Sequence, residues 1–239
     1  MPFIFGKIKY TYNNKPYNIN SIGCDCKIIY EKLTNKYSLL IPEKINKEII
    51  EHNKHFISID PGIRTFITGI SENEIIKINE SKIIKYIKRK DKCINNELRS
   101  KNNKRKISVM CNRKLINITT EMHWKTINFL TNNYKNILFG NLSIKDISNN
   151  NVSNISKISK RIGYAYSFYK FKEKLKYKCQ IKECNYIEVK ENYTSKMCSN
   201  CGNYKENLGA NKIYNCEKCL KIMDRDINAS RNIYLKTLI

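Results

Sequence analysis

The stretch that decides the fold is His55-Phe56-Ile57-Ser58-Ile59-Asp60-Pro61-Gly62-Ile63-Arg64-Thr65-Phe66-Ile67-Thr68-Gly69-Ile70. Two strand-like runs flank an Asp-Pro-Gly turn, and a third run, Ile75-Ile76-Lys77-Ile78, follows a polar break. Strand, turn, strand, turn, strand is a meander. Its first strand ends on Asp60, inside an apolar run where a lone carboxylate is costly unless a metal ion or a donor meets it. An Asp-Pro-Gly turn former is the plainer reading of that residue.

Downstream the periodicity changes. Ile83, Ile84 and Ile87 recur at helical spacing, Lys88–Lys106 is basic and rich in Asn, and a second helical stretch is predicted from Ile107 to Leu130 with Leu115, Ile118, Met122 and Phe129 as its apolar stripe. Residues 80–130 are thus expected to form a helical hairpin whose charge run can be a solvated face or a nucleic-acid contact. His123 and Trp124 read as packing and surface residues. A strand over Tyr134–Leu142, a polar connection over Ser148–Lys160, an aromatic helix over Tyr164–Tyr177 and a strand over Tyr186–Val189 follow. The last helix opens at Asp224 and Asp226, where free N–H groups and the helix dipole favour anions; an ordinary cap is one explanation of Asp226. Upstream, Phe3–Tyr12, Cys24–Leu33 and Lys36–Ile41 read as short strands, too few to close a barrel.

Cys198-Ser-Asn-Cys201 and Cys216-Glu-Lys-Cys219 are two Cys-x2-Cys pairs separated by fourteen residues. Each can present two thiolates from a tight knuckle, and four thiolates at this spacing make a tetrahedral zinc site. Gly202 follows the first pair where the turn wants a residue free to take positive φ. The other six cysteines, Cys24, Cys26, Cys93, Cys111, Cys179 and Cys184, lack ligand spacing and read as small hydrophobes or incidental thiols.

The 239 residues carry 45 Lys and Arg against 21 Asp and Glu, a formal charge of +24, which points to a polyanionic partner, nucleic acid before an acidic membrane. Over-use of Asn, Ile and Lys looks like drift in a genome poor in G and C and inflates that figure. With 41% hydrophobic residues the chain can build a core. It has no apolar run near the length of a membrane span and no signal-like start, so a soluble, intracellular protein is expected.

Three blocks, Ser58–Phe66, Tyr193–Gly202 and Asp224–Ile233, resemble in their order the OrfB/TnpB family of insertion-sequence proteins, relatives of the type V CRISPR effector nucleases. The similarity runs from about Asn53 to Tyr234 and includes a segment like the family's phenylalanine-rich helix at Tyr164–Tyr177. The resemblance implies an α/β fold with a mixed sheet: an RNase H-like, RuvC-like nuclease domain over 53–239, with the helical hairpin at 80–130 and an inserted zinc ribbon-like element at 193–222. Residues 1–52 would be a short β-rich remnant of a larger barrel-like region. Members with the full set of residues are RNA-guided DNA endonucleases and are widely known as transposases. Carried over by position, Asp60 and Asp226 would be the first and third catalytic acids and Mg2+ ligands. Lys196, Arg225 and Arg231 would meet nucleic acid, and Cys198, Cys201, Cys216 and Cys219 would hold structural Zn2+.

Two departures set further expectations. Gly140 stands where the family's second catalytic acid, a glutamate, belongs, and Asp146 is six residues away. Loss of one of three acids predicts a cut in DNA cleavage of at least ~100-fold, by analogy with removal of one transition-state contact. The short amino-terminal region also puts guide RNA handling in question. The chain is therefore expected to be a transposon-associated, DNA-binding protein of nuclease ancestry with impaired catalysis. The alternatives are a zinc-dependent nucleic-acid-binding module and a decaying relic of a mobile element.

Overall fold

The computed structural model describes residues 11–12, 15–16, 25–32, 35–42, 46–142, 155–206 and 211–238. They fall in two compact units, 1–44 and 45–239. The expected boundary at 52/53 thus lies a few residues later than the division between units. Residues 46–53 side with the second unit because the Glu48 N–H donates to the Ile181 carbonyl (2.7 Å) and His52 Nε2 lies 3.2 Å from Thr131 O and from Cys184 Sγ.

In the first unit, β1 (Thr11–Tyr12) pairs with β2 (Lys15–Pro16), and β3 (Lys27–Glu31) with β4 (Lys36–Leu40), both antiparallel. Asn35 turns the second hairpin at φ 53, and Tyr30 stacks on Tyr37 with centroids 4.7 Å apart. These are shorter forms of the strands expected at Cys24–Leu33 and Lys36–Ile41. Cys24 and most of Phe3–Tyr12 lie outside the described residues.

The second unit is built on β5 (Lys54–Pro61), β6 (Ile67–Ile70), β7 (Ile75–Ile78), β8 (Tyr134–Gly140) and β9 (Asn185–Val189), in the order β7-β6-β5-β8-β9. The meander β5-β6-β7 is antiparallel, while β5-β8 and β8-β9 are parallel. Parallel neighbours need long crossovers, and helices supply them. The first crossover is α1 (Lys82–Ile94) and α2 (Lys101–Asn133); the second contains α3 (Lys157–Tyr166) and α4 (Phe168–Ile181).

Strand alternation sorts the two faces of the sheet. Ile57, Ile59, Ile137 and Phe139 enter the main core with Phe66, Ile127, Leu130, Phe171 and Leu175. Phe56 and Leu138 face the other way, toward the closing helix α5 (Arg225–Leu235), where Phe56 stacks on Tyr234 at 4.1 Å and Leu138 packs with Val189 and Ile233. By the same period of two, Asp60 and Gly140 belong to the α5 face.

Helix boundaries depart from expectation in two places. The second helix of the hairpin begins at Lys101, with Ser100 capping it by accepting from Asn103 N, so it takes in the end of the basic segment, whose start belongs to α1. The aromatic helix is preceded by α3, which begins inside the stretch expected to be a polar connection and takes in the first residues expected of the aromatic helix, and the two are broken at Ser167, whose φ of 49 reverses the backbone. His123 is a packing residue: it is buried, its Nε2 lies 2.8 Å from Tyr166 O, its ring stacks on Phe66, and burial lowers its pKa to about 4.

Candidate functional site

Parallel pairing brings the carboxyl ends of β5, β8 and β9 to one edge, the usual place for a site in an α/β sheet. Pro61 pairs with Ile67 and Ile67 with Ile78, while Gly140 pairs with Val189, so all five strands meet this edge. Helix α5 starts there too. Its cap is Asp224, whose Oδ1 accepts from Asp226 N (2.9 Å) and Ile227 N (3.2 Å) and whose Oδ2 lies 2.7 Å from Lys77 Nζ. Burial pushes the Asp224 carboxyl up, but Lys77 and the two N–H groups outweigh it and leave its pKa below the ordinary value. Asp226 is therefore spared the capping duty that would have explained it away.

The carboxyl of Asp60 is raised well above the usual range, first by burial, next by the Glu191 carboxylate and then by Asp226. Asp226 is raised by burial and by Asp224, against Lys77, Arg225 and Arg64. Glu191, two residues beyond β9, is pushed up to about 7 by burial, with Lys172 and Lys236 opposing. Its Oε1 is buried and has no hydrogen-bond partner among the described residues. A Cβ placed on Gly140 would lie 2.4 Å from that same Oε1 and 2.9 Å from Ile233 Cδ1. The space above Gly140, where a side chain from β8 would begin, is thus filled by a carboxylate from the turn after the neighbouring strand. Glu191 continues the alternation Ile187, Val189 onto the α5 face. That is the signal by which the sequence could have disclosed it. Asp146 lies outside the described residues.

Helix α5 is fixed by its own polar residues. Ser230 Oγ donates to Thr68 O (2.6 Å), seating the helix on the sheet. Asn228 Nδ2 donates to Met197 O (2.7 Å) while its Oδ1 accepts from Ser199 N (2.9 Å), and Asn232 Nδ2 donates to Thr194 O and Met197 O, both at 2.7 Å. Thr194 in turn donates through N and Oγ1 to Glu191 O. One helix therefore holds the turn that carries Glu191 and the first cysteine knuckle.

The four cysteines form a candidate zinc-binding site, the one group of its kind among the described residues, with all ligand atoms within 4.8 Å of one another. Sγ of Cys198 lies 3.7 Å from Cys219 and that of Cys201 3.5 Å from Cys216. A tetrahedron with Zn–S of ~2.3 Å has S···S edges of ~3.8 Å, so the thiols fit the ion. The knuckles are alike: Gly202 follows Cys201 at φ 72, and Leu220 follows Cys219 at φ 56. β10 (Ile213–Asn215) and β11 (Ile222–Asp224) pair antiparallel behind them, and β11 runs directly into α5. Tyr214 is the element's buried centre, its hydroxyl donating to Lys196 O (3.1 Å).

Of the basic residues carried over, Arg225 lies near enough to lower both Asp60 and Asp226. Lys196 sits in the zinc element with its Nζ over the Tyr204 ring, and Arg231 is exposed on α5. No helix among the described residues is long and apolar enough to cross a membrane.

The sheet order, its helical crossovers and the carboxyl-edge site define an RNase H-like domain of RuvC type. The Cas12f1 chain of a Cas12f1–sgRNA–target DNA complex superposes with a TM-score of 0.58 at 18% identity, over 82% of this chain and 52% of that one. Residues 168–233 match the Cas12f1-like TNB domain. Two TnpB-like proteins of Acanthamoeba polyphaga mimivirus are each 34% identical over 97% of this chain, which covers 46% and 45% of theirs. The chain belongs to the TnpB/OrfB-like family and spans about half the length of these curated relatives.

Proposed function

We propose that this chain is a transposon-associated, metal-dependent DNA nuclease of RuvC type, soluble and associated with DNA, in which Asp60, Glu191 and Asp226 form the acid set. The observation that carries this is the Glu191 carboxylate above Gly140. An acid is missing from β8, yet a carboxylate occupies the vacated space. Three carboxyls raised by burial, with Glu191 and Asp226 raising Asp60 further and one oxygen of Glu191 orphaned, suit a hard divalent cation with oxygen ligands such as Mg2+. Bound there, the metal would stabilise charge on a phosphodiester and favour ionisation of a water. Asp60 and Asp226 would hold it from β5 and α5, and Glu191 from the turn after β9. Arg225 would balance charge beside them, and Lys196 and Arg231 would meet backbone phosphate. A guide RNA, the partner named with Cas12f1, is part of the proposal for the longer protein this chain matches only in part. On this reading Gly140 does not impair the site: it makes room for Glu191.

The test is cleavage of labelled single- and double-stranded DNA with Mg2+ or Mn2+, with and without co-expressed RNA. Glu191→Gln and Asp60→Asn are each expected to lose at least ~100-fold in rate. Gly140→Glu alone is expected to fail, since two carboxylates would compete for one space. The exchange Gly140→Glu with Glu191→Gly should cut better than either single variant. Mg2+-dependent cutting unchanged by Glu191→Gln would remove Glu191 from the site. DNA binding without cutting in every variant would favour the zinc-dependent binding module instead.

A further inference from the structure

Helix α2 is far longer than the sheet it crosses. Its 33 residues span about 50 Å, against about 23 Å for the seven residues of β8. It ends opposite the acid edge, because Tyr134 pairs with Lys54 at the start of β5. The buried positions Thr119, Met122, His123, Thr126, Ile127, Leu130 and Thr131 lie in its second half, and the first half buries Cys111 alone. That first half, with α1 packed along it, therefore projects beyond the edge where Asp60 and Asp226 sit.

This projection holds an outsized share of the positive charge. Residues 82–114 contain thirteen of the 45 Lys and Arg, two of the 21 Asp and Glu, and four of the chain's eight arginines. Lysine excess is a habit of the whole chain, but half of the arginines in a seventh of its length is not. One of the two acids, Asp91, is taken by Arg161 from α3. Where α1 meets α2, a cavity of about 240 Å³ is lined by Arg89, Lys92, Asn96 and Arg99 over Cys93 and Ile107. None of these three cations is paired with a described residue. Like charges one helical turn apart, such as Lys85, Arg89 and Lys92, repel and weaken an isolated helix. An anion in the cavity would relieve them.

The geometry points to the α1–α2 projection as a docking surface for the phosphate backbone of a nucleic acid, with Arg89, Lys92 and Arg99 gripping a phosphate in the cavity at its tip. The contact is independent of base sequence, since its three cations bind phosphate rather than base edges. It rests on the nucleic-acid reading above but not on cleavage. A strand held there lies beyond the same edge of the sheet as the acids, although α2 packs on the face opposite α5, so the projection extends the binding track outward from the acid edge.

The test is fluorescence anisotropy of the whole chain with labelled duplex DNA, single-stranded DNA and an RNA–DNA hybrid of one length, over a salt series without added divalent ions. Arg89→Gln/Lys92→Gln/Arg99→Gln is expected to bind about tenfold or more weaker near 100 mM salt and to flatten the slope of log K against log salt by about 2 to 3. A charge-matched control, Lys27→Gln/Lys32→Gln/Lys36→Gln, should change affinity by less than about threefold, with melting curves showing both variants folded. Equal losses in the two triple variants, or no loss in the first, overturn the inference. Binding of the wild type to anionic vesicles but to no nucleic acid overturns it together with the nucleic-acid reading.

Discussion

The cysteine cluster and the carboxylate cluster hang on the same helix but are assembled by opposite routes. Cys198, Cys201, Cys216 and Cys219 come from two knuckles close in sequence, each closed by a residue at positive φ and carried by a short hairpin. Asp60, Glu191 and Asp226 come from the end of a central strand, the turn beyond an outer strand and the start of the last helix. The first cluster depends on local spacing; the second depends on the register of β5, β8 and β9. The thiols can be satisfied by one ion and then stabilise the fold, because binding there is coupled to local folding. The carboxylates repel one another and burden the fold until a cation joins them.

The largest effect should come from the zinc element. Cys216→Ser is expected to leave the purified protein without its equivalent of zinc, measured by elemental analysis. It should cost about 4 kcal/mol, which at 2–4 °C per kcal/mol lowers the melting temperature by about 10 °C. Full zinc retention and unchanged melting would break the contrast between a supporting and a burdening cluster.

Glu191→Gln should act in the opposite direction in protein without added divalent ions. The folded-state pKa of about 7 stands above the ordinary 4.5, so the folded chain binds the extra proton between these values. The stability linked to that proton is complete below about pH 4.5 and is lost as pH rises through 7. Removing the charge is therefore expected to stabilise the metal-free protein at pH 8 by at most about 3 kcal/mol, with no gain at pH 4. Thermal melts at the two pH values check this, and an equal change at both would assign the effect to packing.

The smallest effect separates the two knuckles. Gly202 occupies its left-handed position freely, but Leu220 holds φ 56 with a side chain that is 80% exposed and gains little from burial. Leu220→Gly is expected to raise stability by about 0.5–1 kcal/mol, by relief of the strain of a bulky residue in that conformation. Urea melts of the zinc-loaded protein would detect it.

What the sequence disclosed follows the same division. The meander, Asp60 at a strand end, both Cys-x2-Cys pairs and the acid at the start of α5 were legible because each is written in a few consecutive residues. The start of α2 was missed although Ser100 is a good cap, because the basic run masked the apolar stripe. Ser167 gave no warning of its reversed backbone, since serine is not a residue that favours positive φ. Glu191 escaped because its role depends on which strand lies beside β8, and pairing between β8 and β9 is a tertiary fact. Alternation through Ile187 and Val189 gave its face; only the sheet gave its neighbour.

The space above Gly140 also bears on how such a site can change over generations. A Cβ at 140 would lie 2.4 Å from the Glu191 carboxylate, so on the proposed reading the space takes one carboxylate, rooted at 140 or at 191. A chain with glutamate at 191 gains nothing from a single substitution that adds another at 140, and a chain that loses 191 first is left with two acids. If Glu191 completes the proposed acid set, a move to the strand-borne arrangement would require two substitutions, with a less active intermediate expected on either route. On that reading the exchange would work as a ratchet, and lineages on its two sides would keep the same chemistry while their alignments disagree about where it resides.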